Sequence, residues 1–268
     1  MNAAVEQRGR NWFNALSDGA SPLAGLPASL LVADTRLGGR AARLLAVVAD
    51  DDNPFPRARN GEVGLLEGWG LAQVIDQAIE ADADGAEKRA LIAIIDVPSQ
   101  AYGRREEAYG IHQALAGAVD SYARARLAGH PVVGLLVGKA MSGAFLAHGY
   151  QANRLIALND PGVMVHAMGK ASAARVTLRS VEELEALAAS VPPMAYDLDS
   201  YGSLGLLWKT QAVSDALQPT AADVAVVRDC LAAALEDIAG TAVDLRGRLG
   251  AANRSASLKV RELLKAQW

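Results

Sequence analysis

Two stretches of this 268-residue chain run from apolar residues straight into small or polar ones. The first, IIDVPSQAYG, carries Asp96, Pro98, Ser99, Gln100 and Tyr102; the second, LLVGKAMSGAF, carries Lys139, Ser142, Gly143 and Ala144. Each reads as a strand that ends in a loop and leads into a helix, and α/β proteins bind ligands at the carboxyl ends of parallel strands. At Ser142-Gly143-Ala144 the small side chains let a carbonyl or carboxylate oxygen approach main-chain N–H groups at a helix start, where the helix dipole adds positive potential. Donors so placed form an oxyanion hole. Small residues also occur where a helix packs closely on a sheet, so residue types alone leave both roles open.

Other chemistries lack their residues. Cys and His spacing does not support zinc, there is no GxxxxGK[ST] segment, and GEVGLLEGWG is no dinucleotide fingerprint. The serine of MSGAF lacks the G-x-S-x-G frame. His112, His130, His148 and His166 are scattered, and a structural or surface role suits them best; His166 beside VMVHAM is the one left open. Cys230 is the sole cysteine, which forbids an intrachain disulfide, and its amphipathic helical context suits a buried, inert thiol. A formal net charge of -4 gives no reason to expect nucleic acid or an anionic membrane as partner. Arg57, Arg59, Arg104 and Arg105 form short clusters that read as solvated loops. The N-terminal stretch has no signal-peptide pattern and no run is long enough to span a membrane, so a cytoplasmic location is expected.

The elements that must position these residues follow from periodicity. An N-terminal helix and a Pro/Gly loop precede ASLLVADTRL and ARLLAVVAD, two strands joined through Gly38 and Gly39. A polar loop ends at the Asn60-Gly61 turn, and a helix clear by Trp69 places Leu71, Val74, Ile75 and Ile79 on one face. The apolar run RALIAIIDV reads as a strand covered on both faces. Helix Glu107 to Leu127, strand PVVGLLVG, the loop KAMSG, a helix through AFLAHGYQA, strand RLIALND and a short strand VMVHAM come next. The strand-helix alternation predicts parallel βαβ units in one layered α/β domain spanning 1–268, with a core of about 30–237 and a helical C-terminal extension.

The motifs IIDVPSQAYGRREEAYG, PVVGLLVGKAMSGAFLAHGY, RLIALNDPGVMVHAM and NGEVGLLEGWGLAQVI together resemble the carboxyltransferase branch of the crotonase superfamily. Within it the chain looks most like the gamma subunit of biotin-independent malonate decarboxylase, from roughly Leu30 through Asp237. The resemblance implies a ClpP/crotonase fold of repeated ββα units. Biotin carboxyltransferases of this branch have two adjacent glycines in the turn and a Gly after Asp-Val-Pro. Here Ser142-Gly143-Ala144 and Ser99 stand instead, which speaks against biotin.

The resemblance also implies a malonyl thioester carried on the prosthetic arm of an acyl carrier protein, with no cofactor bound directly. The active site would be shared with a homologous beta subunit that supplies the thioester oxyanion hole and most of the arm binding. An acyl-transferase subunit would complete the complex. Loss of CO2 makes a thioester enolate, so the breaking bond must stand perpendicular to the carbonyl plane. The Gly143 and Ala144 amides are then expected to orient the leaving carboxylate, with Ser142 as a side-chain donor. Pro98, Ser99 and Tyr102 are expected to face the substrate, and Gln100 or Tyr102 to position a water or supply a proton. Too tight a grip on the carboxylate would slow the reaction, so Lys139 is expected to be structural. Asp96 is expected to anchor its loop; Glu67, Arg57 and Arg59 are further loop candidates. Three rivals remain: a biotin-dependent carboxyltransferase or decarboxylase subunit, a stand-alone hydratase or hydrolase on a CoA ester, and a non-catalytic scaffold for the beta subunit.

Overall fold

The computed structural model describes residues 7–268, so the part of the expected N-terminal helix ahead of Gln7 lies outside the described residues. Helix α1 (Arg8–Ser17) is followed by the hairpin β1 (Leu30–Leu37) and β2 (Arg40–Val47), which pair antiparallel through the left-handed Gly38 and Gly39. Helix α2 (Leu65–Ala81) leads to β3 (Ala90–Val97), then α3 (Arg104–Ala108), α4 (Ile111–Leu127) and β4 (Val132–Met141). Next come α5 (Ser142–Ala147), β5 (Arg154–Leu158), β6 (Met164–His166), α6 (Lys170–Val176), α7 (Val181–Ala188) and α8 (Leu198–Ser203). Strand β7 (Lys209–Gln211), α9 (Ala221–Ile238) and α10 (Ser255–Gln267) complete the order. The sheet runs β1-β2-β3-β4-β5-β7, with β6 pairing β4, and every pairing after the hairpin is parallel.

The continuous apolar runs lie where strands covered on both faces belong. In β3 every residue but Asp96 is buried, and β4 is buried except at Lys139. Trp12, Phe13, Leu44, Leu45, Leu71, Ile75, Ile92 and Tyr122 fill the core, each such side chain contributing about 1.5–3 kcal/mol by burial. Trp12 keeps its indole N–H satisfied by donating to the Ala216 carbonyl at 2.8 Å, which ties α1 to the segment before α9. Helices α2 and α4 cross so closely that a Cβ at Gly68 would stand 2.8 Å from the main chain of Ala114. Gly68 thus serves helix packing, while Gly70 makes room for the Leu30 side chain of β1.

Four boundaries differ from the periodicity. The expected helix Glu107–Leu127 is two helices, because Gly110 takes φ +79° between them. Helix α2 begins at Leu65, ahead of the Trp69 by which the periodicity makes it clear, since the Glu67 side chain reaches back to accept the Gly64 N–H at 2.9 Å. The helix expected through AFLAHGYQA stops at Ala147, and His148 goes into the core instead. No loop separates β4 from α5: the strand runs to Met141 and Ser142, at φ +61°, makes the corner alone. Helix α10 buries none of its residues.

Candidate active site

The strand ends of β3 and β4 are shaped by Asp96. Between Ile95↔Leu136 and Val97↔Ala140 the register slips, giving β4 a bulge at 137–139. The Asp96 carboxylate fills the space so made, accepting the Lys139 N–H at 3.0 Å and the Gly9 N–H at 3.3 Å. Burial pushes its pKa up, against these two amides. Asp96 is therefore an anchor between β3, β4 and α1. The Lys139 side chain is exposed and lines a crevice of about 420 Å3 with Asp96, Pro98 and Glu62; it is the main chain of Lys139 that bonds within the fold.

A second set of contacts fixes the loop after β3. Glu67 is fully buried, and among the described residues Ser29 Oγ (2.5 Å), Asn53 Nδ2 (2.9 Å) and Gly64 N (2.9 Å) donate to it. Glu67 thus does not belong with the loop candidates; it satisfies buried donors and holds Gly64 at the head of α2. From there Val63 reaches the site loop: its N–H donates to Ser99 O at 3.1 Å, and Ala101 N–H donates back to Val63 O at 2.8 Å. Gln100 is pinned between these two bonds.

Gln100 and Gly143 meet. The Gly143 N–H donates to Gln100 Oε1 at 3.0 Å, so the amide expected to face substrate is held by the chain itself. Ser142 supplies the bend, since a left-handed φ of +61° in a non-glycine residue is costly and sets the direction of the next peptide. Ser142 and Gly143 are half-buried and line a cavity of about 470 Å3 with Phe145, Tyr150, His166 and Tyr201. Ala144 is fully buried in the core.

Tyr102 is 47% exposed, with the Arg57 guanidinium 4.3 Å from its ring centre. Arg57 is gripped in turn by both carboxylate oxygens of Glu62, whose pKa burial raises against that pairing. Arg59 donates to Asn53 O at 2.8 Å and thereby braces the loop. This arginine-carboxylate-phenol group went unrecognised in the sequence; the five-residue spacing of Arg57 and Glu62 around the Asn60-Gly61 turn was the available signal.

Three histidines are structural by their partners. His148 is fully buried between Tyr122 OH (3.1 Å) and Ile94 O (3.0 Å), and burial lowers its pKa to about 4. His130 bonds Arg89 O at 2.9 Å, and His166 stacks on Tyr196 with ring centres 3.8 Å apart. His112 is exposed, and Cys230 is buried in α9. Among the described residues no helix is long and apolar enough to cross a membrane, and no three His, Cys, Asp or Glu side chains cluster as a metal site.

A parallel-rich sheet with a strand-end loop laid against a small-residue turn is the architecture of a crotonase-fold carboxyltransferase. Transcarboxylase 12S shares the fold at a TM-score of 0.63 and 20% identity, over 85% of this chain and 41% of that one. Residues 58–268 match the family model described as malonate decarboxylase gamma subunit, and the chain belongs to that family. A chain from a Pseudomonas malonate decarboxylase hetero-tetramer in complex with coenzyme A superposes with a TM-score of 0.94 at 72% identity, covering 98% of this chain and 100% of that chain. A chain of the Pseudomonas MdcD-MdcE hetero-dimer gives 0.91 at 68% identity, with 98% and 100% covered. The malonyl-S-ACP:biotin-protein carboxyltransferase of Malonomonas rubra is 38% identical over 154 residues, 56% of this chain and 53% of that protein. The match thus spans about half the length of this curated relative.

Proposed function

We propose that this chain, paired with a homologous beta-type subunit, removes CO2 from malonyl-S-acyl carrier protein to leave the acetyl thioester. The observation that carries the reading is the Gln100–Gly143 contact, which joins the ends of two adjacent parallel strands into one polar surface. The hetero-dimeric and hetero-tetrameric assembly of the Pseudomonas relatives supports a shared site.

In this reading the partner meets the thioester oxygen, where negative charge develops as the C–C bond breaks. Gln100, seated on the Gly143 N–H, and Ser142 hold the departing carboxylate so that this bond stands perpendicular to the thioester plane, and Pro98 and Ser99 wall the approach. All of these are neutral donors or apolar groups. That suits the reaction, because a cation on the carboxylate would stabilise the ground state more than a transition state losing that charge. The enolate then needs a proton. A carboxamide has none to give near neutral pH, whereas a phenol does, so Tyr102 takes the acid role and Gln100 an orienting one. No biotin enters this scheme. An acyl-transferase subunit would load the arm, and the location consistent with such a pathway is the cytoplasm.

Co-expression with the beta-type subunit and measurement of CO2 release from malonyl carrier protein against malonyl-CoA tests the reading. Turnover that requires both subunits and survives avidin supports it; avidin inhibition would favour the biotin-dependent alternative suggested by the Malonomonas relative. The engagement of Gly143 N–H by Gln100 favours a second reading, in which this chain only completes its partner's surface. Full turnover of a correctly assembled Gly143→Pro complex would support it.

A further inference from the structure

We infer that the group presented to the substrate carboxylate is the Gln100 side-chain NH2, with Gly143 N–H acting through it as a positioning donor. The inference rests on the proposed decarboxylation and adds to it which atom touches the carboxylate.

Gly143 N–H can only donate, so the Gln100 atom facing it at 3.0 Å is the carbonyl oxygen. That contact settles the orientation of the amide and leaves Nε2 as its uncommitted end, 3.8 Å from where a Gly143 Cβ would stand. Among the described residues Nε2 has no hydrogen-bond partner, and it is not one of the buried unpaired polar atoms, so it is open to solvent. Its carrier cannot drift, because Ser99 O and Ala101 N are both tied to Val63. The opposite side is equally committed: a Cβ on Gly143 would meet Gln100 Oε1 at 3.3 Å, so the bare glycine lets the amide lie flat on the turn. Pro98, two residues before Gln100, lines the crevice, and Ser142 and Gly143, on which the Gln100 amide rests, line the cavity.

Physically, the backbone N–H polarises the carboxamide, and a donor chain of this kind strengthens the outer N–H. The result is a neutral, directional donor at side-chain reach from the strand ends. It also explains why the Gly143 amide is occupied in a chain whose function calls for a donor at this place.

Complexes with the beta-type subunit carrying Gln100→Ala and Gln100→Glu would be assayed for CO2 release from malonyl carrier protein and for inhibition by free malonate. The Gln100→Glu side chain still accepts the Gly143 N–H, so the turn keeps its bond while the outward NH2 becomes an anionic oxygen. We expect Gln100→Ala to raise KM and the malonate inhibition constant about tenfold or more, the loss of one hydrogen bond to a charged group. Gln100→Glu is expected to lose more than Gln100→Ala at pH 7.5 and to regain activity as pH falls and the new carboxyl protonates, which a merely structural role would not produce. Malonate inhibition unchanged in both variants, or a Gln100→Ala complex as active as wild type, overturns the inference and leaves the functional reading standing. A wild-type complex that releases no CO2 overturns that reading itself.

Discussion

The carboxylate of Asp96 occupies the place a side chain on Gly138 would need: a Cβ there would stand 2.1 Å from Asp96 Oδ1. Neither partner can yield, since Asp96 is held by the Lys139 and Gly9 amides and Gly138 lies in the bulge that lets β4 pass around it. Gly138→Ala should therefore destabilise the chain by about 2 kcal/mol or more, the usual scale for forced overpacking. Urea denaturation of the purified subunit measures this directly. A loss under 0.5 kcal/mol would mean that the strand end is softer than this interlock requires.

Glu67 gives a second prediction, in which stability and activity move together. Glu67→Ala would leave Ser29 Oγ, Asn53 Nδ2 and Gly64 N facing a buried gap, at a cost on the order of 3 kcal/mol. Because Gly64 heads the segment whose Val63 pins the Gln100 loop, CO2 release by assembled complex should fall at least tenfold as well. Normal turnover in a destabilised variant would separate the buried network from the site.

These two cases show what the sequence discloses. Alternating and continuous apolar runs were enough to predict the hairpin, the parallel strands and the helix clear by Trp69, because periodicity records burial directly. Asp96 as an anchor was also legible, since an acidic residue closing a buried strand needs donors nearby. The corner at Ser142 was not: a left-handed serine leaves no mark in residue types, so a loop was expected where one residue turns the chain. Glu67 misled for a related reason. Its three donors come from positions 29, 53 and 64, and only the fold brings Ser29 and Asn53 to it. The same holds for Gln100 on Gly143, forty-three residues apart.

The buried pair Tyr122–His148 predicts an acid response. Ile94 O accepts from His148 Nε2, so Nδ1 is the bare nitrogen that accepts the Tyr122 hydroxyl, and the imidazole is neutral. Burial lowers its folded pKa to about 4 against 6.5 for the free side chain. The folded state therefore binds this proton less readily than the unfolded state. The contribution is complete above about pH 6.5, declines as pH falls towards 4 and levels off below, a change on the order of 3 kcal/mol. His148→Phe should be less stable at pH 7 yet show a shallower loss between pH 6.5 and 4 in urea titrations. An equally steep loss in the variant would move the acid sensitivity to other groups, His130 among them, whose pKa burial also lowers.

Tyr102 offers the sharpest test of how the enolate is quenched. Its ring sits 4.3 Å from the Arg57 guanidinium, which Glu62 holds from below, so the phenol is carried on a braced support although nearly half its surface is exposed. Tyr102→Phe keeps the ring and its contact with Arg57, removing only the O–H. If the phenol delivers the proton, kcat should drop about a hundredfold, at the lower end of what a positioned acid contributes, while KM for malonyl carrier protein stays near wild type. Arg57→Leu frees the ring and should raise KM as well as lower kcat, because the support and the acid are then disturbed together. A solvent isotope effect on wild-type turnover that vanishes in Tyr102→Phe would link the phenol to the proton transfer. An undiminished kcat in Tyr102→Phe would instead assign that proton to water or to the partner subunit, leaving Tyr102 as packing at the subunit boundary.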